Sequence, residues 1–118
     1  MKTESQTVSM KIFISSTDKF RGTPLYEAIA LEAKQHSISG ATLIKGFMGF
    51  GASSKSISKQ PIEAIDKAPV IIEMIDDRHK LEVFLKQIQW LFDEAKKGYT
   101  ITITPAEVLV YKAGEAKG

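Results

Sequence analysis

Residues 70–92, VIIEMIDDRHKLEVFLKQIQWLF, contain one strand followed by one helix, and this stretch decides the fold. Residues 70–75 form an almost continuous apolar run, which is typical of a strand covered on both faces. Either Asp76 or Asp77 can cap the helix that follows. The apolar residues of that helix recur at helical spacing and predict one buried face, made by Leu81, Phe84, Leu85, Ile88, Leu91 and Phe92. Gly98 is predicted to end the helix.

The chain before this stretch predicts two further strands and a first helix. Apolar and polar residues alternate from residue 8 to residue 15, which indicates a strand with Val8, Met10, Ile12 and Ile14 on one face. Thr23 is the expected N-cap and Pro24 the first residue of the first helix. Its apolar stripe is Leu25, Ile29 and Ala33. Residues 41–50 predict the second strand, and residues 61–67 a short helical turn.

Residues 99–104 and 108–111 predict strand segments after the second helix, with Pro105 at a bulge or an edge between them. The order is therefore β-α-β-β-α-β, an α+β fold of the ferredoxin-like type with two helices on one face of an antiparallel sheet. We expect one domain over residues 8–112, between a disordered polar tail at 1–7 and a flexible tail at 113–118. The sheet face without helices keeps apolar residues, and such a face commonly forms a subunit interface, so we expect an oligomer.

Composition excludes several classes of function. The 118 residues include 16 basic and 14 acidic ones, and a net charge of +2 argues against nucleic acid or a membrane surface as partner. The absence of cysteine excludes disulfides, thiol catalysis and cysteine-based metal sites. The two histidines, His36 and His79, are too far apart in sequence to indicate a metal site. No run is long enough to span a membrane and the first residues lack a signal peptide's apolar core, so we expect a cytoplasmic protein.

Residues 46–59, between the second and third predicted strands, form the main candidate for a functional loop. The surrounding segment 45–60 contains basic residues but no acidic one. The candidate ligand-binding residues of the loop are Gly46, Gly49, Gly51, Lys55 and Lys59. Glycine lets backbone N–H groups approach a ligand, and nearby lysines favour an anion such as a phosphate. A connection of this length is usually functional, although a solvated connection with solubilising lysines is the alternative.

Two other places could bind an anion. Arg21 and Gly22 precede the first helix, and Arg21 could hold an anion bidentately, although an ordinary turn is equally consistent. Lys97 and Gly98 could be a reduced phosphate loop, but an ordinary helix end explains them slightly better. Trp90 is predicted to face outward, where it is either a protein contact or an ordinary exposed apolar residue.

The sequence also resembles a known family. The resemblance lies in Asp18, Gly22 and the segments 24–29 (PLYEAI), 39–42 (SGAT), 46–51 (GFMGFG) and 69–73 (PVIIE). From about residue 10 to residue 111 the chain is similar to the PII-like proteins of domain-of-unknown-function family 190. This resemblance implies a homotrimer of ferredoxin-like subunits, with ligands, often adenine nucleotides, bound in clefts between the subunits.

The resemblance further implies roles for two loops. Residues 46–59 correspond to the T-loop, which contacts a target protein such as a membrane transporter. The implied partner contacts are Phe50, Ser53, Ser54, Lys55 and Ser56. The loop after the second helix corresponds to the phosphate-contacting B-loop, but Lys96-Lys97-Gly98 replaces the Thr-Gly-x-x-Gly-Asp-Gly-Lys sequence of PII. No tyrosine lies between Gly46 and Ile75, so uridylylation has no acceptor there.

These observations favour a non-enzymatic regulatory protein that binds a small anionic ligand, for example an adenine nucleotide, and needs no cofactor. An RNA-recognition-motif-like module is the alternative, because residues 45–50 echo the signature of that motif. That echo lies on the second strand, whereas the base-stacking aromatics belong on the third, which has none. An acylphosphatase-like enzyme needs an asparagine to place the attacking water, and the chain contains no asparagine.

Overall fold

The computed structural model of the protein describes residues 6–47, 49 and 68–115. Their elements, in chain order, are β1 (Thr7–Ser15), β2 (Lys19–Phe20), β3 (Thr23–Pro24), α1 (Leu25–Gln35), β4 (Thr42–Lys45), β5 (Pro69–Asp77), α2 (Arg78–Ala95) and β6 (Thr100–Pro105). None of the helices within these residues is long and apolar enough to cross a membrane.

Four strands form one antiparallel sheet in the order β4-β5-β1-β6. β1 lies between β5 and β6, so that Met10 is opposite Met74 on one side and Ile103 on the other. β4 is an outer strand that pairs with β5. The two helices and this strand order confirm the predicted α+β, ferredoxin-like fold.

One face of the sheet packs against both helices and forms the core. Every second residue of β1 is buried there, as the alternating sequence predicts. The apolar stripes of both helices are buried as well, with Leu85 partly buried at the margin. The main core residues are Val8, Met10, Ile12, Ile14, Leu25, Ile29, Ala33, Val70, Ile72, Met74, Leu81, Phe84, Ile88, Leu91 and Phe92. Truncating such a large side chain to alanine typically costs about 2–5 kcal/mol.

The other face of the sheet carries no helix within the described residues. β5 presents Ile71, Glu73 and Ile75 on this face, and Ile75 is exposed. Among the residues that the structure describes, helices cover β5 on one face only, which differs from the two-sided coverage that its sequence predicts. The Glu73 carboxylate accepts a hydrogen bond from Ser9 Oγ at 2.8 Å and lies 3.6 Å from Lys11 Nζ. This face of β5 has no aromatic side chain, so the RNA-recognition alternative gains no support from it.

The start of α1 differs from the sequence prediction. Thr23 and Pro24 form the short strand β3, and α1 begins at Leu25 with Pro24 as an N-cap that makes no side-chain cap hydrogen bond. The Leu25 backbone N–H instead donates to the carbonyl of Asp18 at 2.8 Å. The prediction of Thr23 as N-cap was wrong because pairing with β2 draws this residue into a strand.

The two ends of α2 differ in how well the sequence predicted them. Asp77 is the N-cap, and its side chain accepts a hydrogen bond from the Lys80 backbone N–H, as predicted. At the other end the prediction of Gly98 was wrong, because Lys96 ends the helix in the left-handed conformation with φ 55°. Its N–H donates to the Phe92 carbonyl at 3.0 Å, a helix end that glycine usually makes.

Two predicted strands are shorter than expected or absent. β4 spans Thr42–Lys45 rather than residues 41–50. Residues 108–111 are irregular and expose four consecutive apolar side chains, although their composition is that of a strand. Pro105 ends β6 on the outer edge of the sheet, in agreement with the predicted edge position. The helical turn predicted at 61–67 lies outside the described residues.

Candidate functional site

The sheet brings three predicted site segments to one of its ends. β1 and β4 end there, while β5 and β6 begin there, because Ser15 is opposite Pro69 and Lys45 is opposite Val70. We call this region the loop end and define it as residues 15–22, 45–49, 68–69 and 96–100. It contains the described candidates Arg21, Gly22, Gly46, Gly49, Lys97 and Gly98.

Two contacts fix the chain segments that lie on either side of residues 50–67. The Gly46 N–H donates to the Pro69 carbonyl at 2.6 Å, and a Cβ on Gly46 would lie 2.5 Å from Pro69 Cγ. A side chain at position 46 would therefore collide with Pro69 unless one of the two chain segments shifts. Beside this contact, the Ser16 N–H donates to the Ala68 carbonyl at 2.7 Å and the Ala68 N–H donates to Ser16 Oγ at 2.9 Å.

The rest of the candidate loop lies outside the described residues. This applies to the predicted ligand-binding residues Gly51, Lys55 and Lys59. It also applies to the predicted partner contacts Phe50, Ser53, Ser54 and Ser56. The roles of these residues stay predictions.

Arg21 and Gly22 form the turn between β2 and β3, and both have positive φ angles, 50° and 82°. The Arg21 guanidinium donates two hydrogen bonds to the Glu94 carboxylate, from Nε at 2.8 Å and from Nη2 at 2.9 Å. This hydrogen bonding raises the pKa of Arg21 and lowers the pKa of Glu94. The residue predicted to bind an anion bidentately thus binds a carboxylate of its own chain in that way.

Lys97 and Gly98 lie directly after α2, in the connection to β6. The side of α2 near this connection packs on Tyr99, whose ring stacks on Phe92 with 4.1 Å between the ring centres. Glu94 lies in the last turn of the same helix and holds Arg21. The turn containing Arg21 and the exposed lysines after α2 therefore adjoin the same helix end.

Trp90 and His36, two other residues considered in the sequence, make contacts within the chain. Trp90 is 45% exposed, as predicted, and meets the Phe20 ring edge-on with 5.2 Å between the ring centres. His36 packs against the Phe84 ring, and its Nε2 lies 3.4 Å from the Glu32 carboxylate. Across the described part of the chain, no group of three or more histidine, aspartate or glutamate side chains could hold a metal ion.

The opposite end of the sheet contains a cleft that the sequence did not predict. We call this region the tail end and define it as residues 7, 37–42, 73–80 and 105–111. The cleft has a volume of about 660 Å³. The residues that line it are Thr7, Ser39, Gly40, Ala41, Thr42, Glu73, Ile75, Asp76, Asp77, Val108, Val110 and Tyr111. Every charged residue of this lining is acidic, so the cleft does not suit an anion.

Asp76 organises the tail end through its carboxylate. It accepts hydrogen bonds from Ser39 N at 2.9 Å, Ser39 Oγ at 3.0 Å and Asp77 N at 2.7 Å, and Lys80 Nζ lies 3.2 Å away. Partial burial raises the pKa of Asp76, but these hydrogen bonds outweigh burial and hold the pKa below its ordinary value. Tyr111 OH donates to the Ser39 carbonyl at 3.3 Å, which ties the last described segment to the same place.

Known proteins resemble this chain along most of its length. Residues 7–108 match the model of the family DUF190, described as "Uncharacterized ACR". A UPF0166 protein of Aquifex aeolicus is 28% identical over 100 residues, which cover 85% of this chain and 90% of that protein. A UPF0166 protein of Methanocaldococcus jannaschii is 32% identical over 100 residues, which cover 84% of this chain and 88% of that protein.

Solved structures of CPII from Thiomonas intermedia K12, described as a nitrogen regulatory PII-like protein, share the fold. The complex of CPII with ADP, AMP and bicarbonate is 13% identical and has a TM-score of 0.61, covering 92% of this chain and 100% of the CPII chain. The complex of CPII with ADP and bicarbonate is 14% identical with a TM-score of 0.61, covering 89% and 91%. At these identities the similarity shows a PII-like fold.

Proposed function

The chain belongs to the DUF190 family, and from this premise we propose that it is a non-enzymatic regulatory protein that binds a small anionic ligand. In this proposal the ligand binds at clefts between the subunits of a homotrimer, and an adenine nucleotide is the first candidate. Residues 46–59 contact a target protein. Ligand binding therefore controls whether the target is engaged.

The observation that supports this proposal is that the described candidate residues all lie at the loop end. The turn with Arg21 and Gly22, the close approach at Gly46 and the connection with Lys97 belong to separate parts of the sequence. The fold places all three at the end of the sheet from which residues 50–67 begin. Backbone without Cβ atoms and exposed positive charge are the features that phosphate groups require of a site.

The exposed apolar residues of the sheet support association of several subunits. β4 is an outer strand, and its Leu43 and Ile44 are 40% and 43% exposed. Ile75 is exposed on the face of β5 that lacks a helix. Exposed apolar side chains on an outer strand and on an uncovered sheet face are typical of subunit interfaces, and closed symmetric rings are a common solution. A homotrimer buries these residues in this proposal.

The proposed mechanism couples ligand binding to the conformation of residues 46–59. The base of this segment is held at Gly46 and Pro69, at the same end of the sheet as the other candidate residues. Lys97, Lys55 and Lys59 neutralise a phosphate bound at the loop end. Because Lys55 and Lys59 belong to residues 46–59, this contact favours one conformation of those residues over others. The target distinguishes the two states because it contacts Phe50 and residues 53–56.

Calorimetric titration with ATP, ADP, AMP and cyclic AMP tests the proposal, with the mass in solution determined by light scattering. The expected result is binding at micromolar concentrations with one site per subunit of a trimer. Absence of binding at millimolar nucleotide would exclude adenine nucleotides as the ligand. A monomeric mass would exclude clefts between subunits.

Charge reversals then locate the site. We expect Lys97→Glu and the double variant Lys55→Glu/Lys59→Glu to weaken nucleotide binding by roughly tenfold or more, because charge-assisted contacts to phosphate are lost. Lys34→Glu is the matched control, since Lys34 is an exposed lysine in the last turn of α1, outside the loop end. Unchanged ligand and partner binding in the double variant would remove residues 46–59 from the proposal.

A further inference from the structure

We propose that Glu94 is an internal competitor for the anion site, which occupies Arg21 until a ligand with a forked oxyanion displaces it. This inference rests on the proposed function. It assigns the ligand class, a phosphate that presents two oxygens to one guanidinium, and it names the residue that sets the affinity. Glu94 lowers the affinity of Arg21 for weakly binding anions, because each of them must first displace a carboxylate that belongs to the same chain and stays nearby.

The geometry of the pair is that of an anion complex. Two parallel hydrogen bonds join Arg21 Nε and Nη2 to the two carboxylate oxygens of Glu94, at 2.8 and 2.9 Å. A guanidinium uses the same fork to bind a phosphate group. The side chains of Arg21 and Glu94 are 67% and 42% exposed, so a dissolved anion can reach the fork. Exposed ion pairs contribute little to stability, so displacing Glu94 does not require unfolding.

The guanidinium is held in place by contacts other than the one to Glu94. Its central carbon lies 4.9 Å from the centre of the Phe20 ring and 6.0 Å from that of Trp90. These two rings meet edge-on, which gives the guanidinium a fixed aromatic support. Arg21 therefore keeps its place when Glu94 leaves, and the fork stays available to a ligand.

The surroundings favour a phosphate over the Glu94 carboxylate. Glu94 lies in the last turn of α2, and the exposed Lys96 and Lys97 follow directly. A phosphate carries more negative charge than a single carboxylate, so its exchange for Glu94 gains more from the ammonium groups of Lys96 and Lys97. Monocarboxylates gain nothing comparable, and we expect them to leave the Arg21–Glu94 pair intact.

Trp90 makes the exchange measurable. It is the only tryptophan of the chain and lies beside Arg21. Its fluorescence therefore reports whether the Arg21 guanidinium is bound to Glu94 or to the anion. Inorganic tripolyphosphate is the probe, because it offers phosphate oxygens without a base that absorbs light. We expect Glu94→Gln, which keeps the size and removes the charge, to tighten tripolyphosphate binding by roughly fivefold or more. Glu82→Gln is the matched control, because Glu82 forms another exposed ion pair of α2, with Arg78.

A second substitution separates the fork from net charge. Arg21→Ala is expected to weaken tripolyphosphate binding, and in that background Glu94→Gln is expected to change the affinity by less than about twofold. An equal gain from Glu94→Gln with and without Arg21 would overturn the proposal, since the effect would then be general electrostatics. Arg21→Lys keeps the charge and loses the fork, and binding as tight as that of the unaltered protein would also overturn it.

The outcomes distinguish this inference from the proposed function. If the unaltered protein binds ATP and tripolyphosphate and Glu94→Gln binds them equally well, Glu94 is a structural contact and the proposed function stands. If neither protein binds either compound, this inference fails, and adenine nucleotides are excluded as the ligand of the proposed function. Circular dichroism spectra of each variant identify a loss of binding that comes from a loss of the fold.

Discussion

The loop end and the tail end of the sheet differ in charge and in the way the chain is held. Basic residues surround the loop end, where backbone meets backbone at Gly46 and Pro69. The cleft of the tail end is lined by acidic residues, and side-chain hydrogen bonds to Asp76 hold its segments together. The difference teaches that the two ends of one small sheet have opposite charge: basic side chains at the loop end suit an anion, whereas carboxylates at the tail end hold the chain segments together. It supports the loop end as the site of an anionic ligand.

The largest effect is expected from Gly46→Ala at the loop end. The new Cβ would lie 2.5 Å from Pro69 Cγ and 3.2 Å from the Pro69 carbonyl oxygen, so the base of the loop must shift. We expect the free energy of unfolding in urea to fall by about 1–3 kcal/mol. Gly40→Ala at the tail end is the control, because no atom lies within 4 Å of its added Cβ, and its effect should stay within about 0.5 kcal/mol. Equal losses would contradict the steric argument.

Asp76→Asn tests the side-chain network of the tail end. We expect a loss of about 1–2 kcal/mol in the free energy of unfolding at pH 7, because a charged acceptor of several hydrogen bonds becomes neutral. Asp93→Asn is the control, since the exposed Asp93 accepts one described hydrogen bond, from Gln89 Nε2. A loss in the control as large as that in Asp76→Asn would contradict the assigned network.

The pH dependence of the same variant sharpens this test. The pKa of Asp76 is lower in the folded protein than its ordinary value, so its stabilising effect is fully present above that ordinary value. The effect is lost as the pH falls through the lowered pKa. We therefore expect the difference in stability between the unaltered protein and Asp76→Asn to begin to narrow near pH 4 and to close only below the lowered pKa of Asp76. A gap that does not depend on pH would show that the Asp76 charge is not responsible.

The two ends of α2 give a third comparison, because the helix runs from the tail end to the loop end. Asp77→Ala removes the N-cap and should lower the free energy of unfolding by about 1 kcal/mol, which shifts Tm by about 4–8 °C. Lys96→Gly should instead raise Tm, since glycine takes the left-handed conformation without strain. Thermal unfolding followed by circular dichroism measures both. A lower Tm for Lys96→Gly would contradict the assigned helix end.

The smallest effect is expected from Tyr111→Phe. Its hydroxyl makes one exposed hydrogen bond to Ser39, so the free energy of unfolding should change by less than about 0.5 kcal/mol. Hydrogen exchange should accelerate at residues 106–111 while residues 45–47 at the loop end keep their rates. Faster exchange at both ends would show that the last segment supports the whole sheet rather than the tail end alone.

The elements that the sequence predicts well are those whose pattern is local. The alternation in β1 and the helical stripe of α2 leave little choice of structure, because the wrong period would expose the core. The start of α1 could not be predicted, because Thr23 pairs with β2 instead of capping the helix. The end of α2 could not be predicted either, because Lys96 adopts a conformation that sequence rules reserve for glycine. Residues 108–111 have strand composition but no strand to pair with in the described chain.

The candidate site also contains residues that a local pattern predicts and contacts that no local pattern predicts. The glycine pattern predicts Gly46 and Gly49 as site residues, and the structure places both against Pro69. The guanidinium of Arg21 predicts bidentate binding of an anion, but the carboxylate that it binds belongs to Glu94. Glu94 lies 73 residues away, so no local sequence pattern indicates the pair. The tail-end cleft was missed for the same reason, because Ser39 and Asp76 are 37 residues apart. Contacts between distant segments depend on strand register, which local patterns do not specify.

The outer strand β4 has a consequence for handling the protein. Within the described residues it pairs only with β5, so its outer backbone groups form an open template for another strand. Leu43 and Ile44 add exposed apolar side chains to that edge. An isolated subunit is therefore prone to aggregate by edge-to-edge pairing at high concentration. The strand is only four residues long and ends in Lys45, which limits such growth, so we expect neutralising Lys45 to reduce the concentration at which the protein stays in solution.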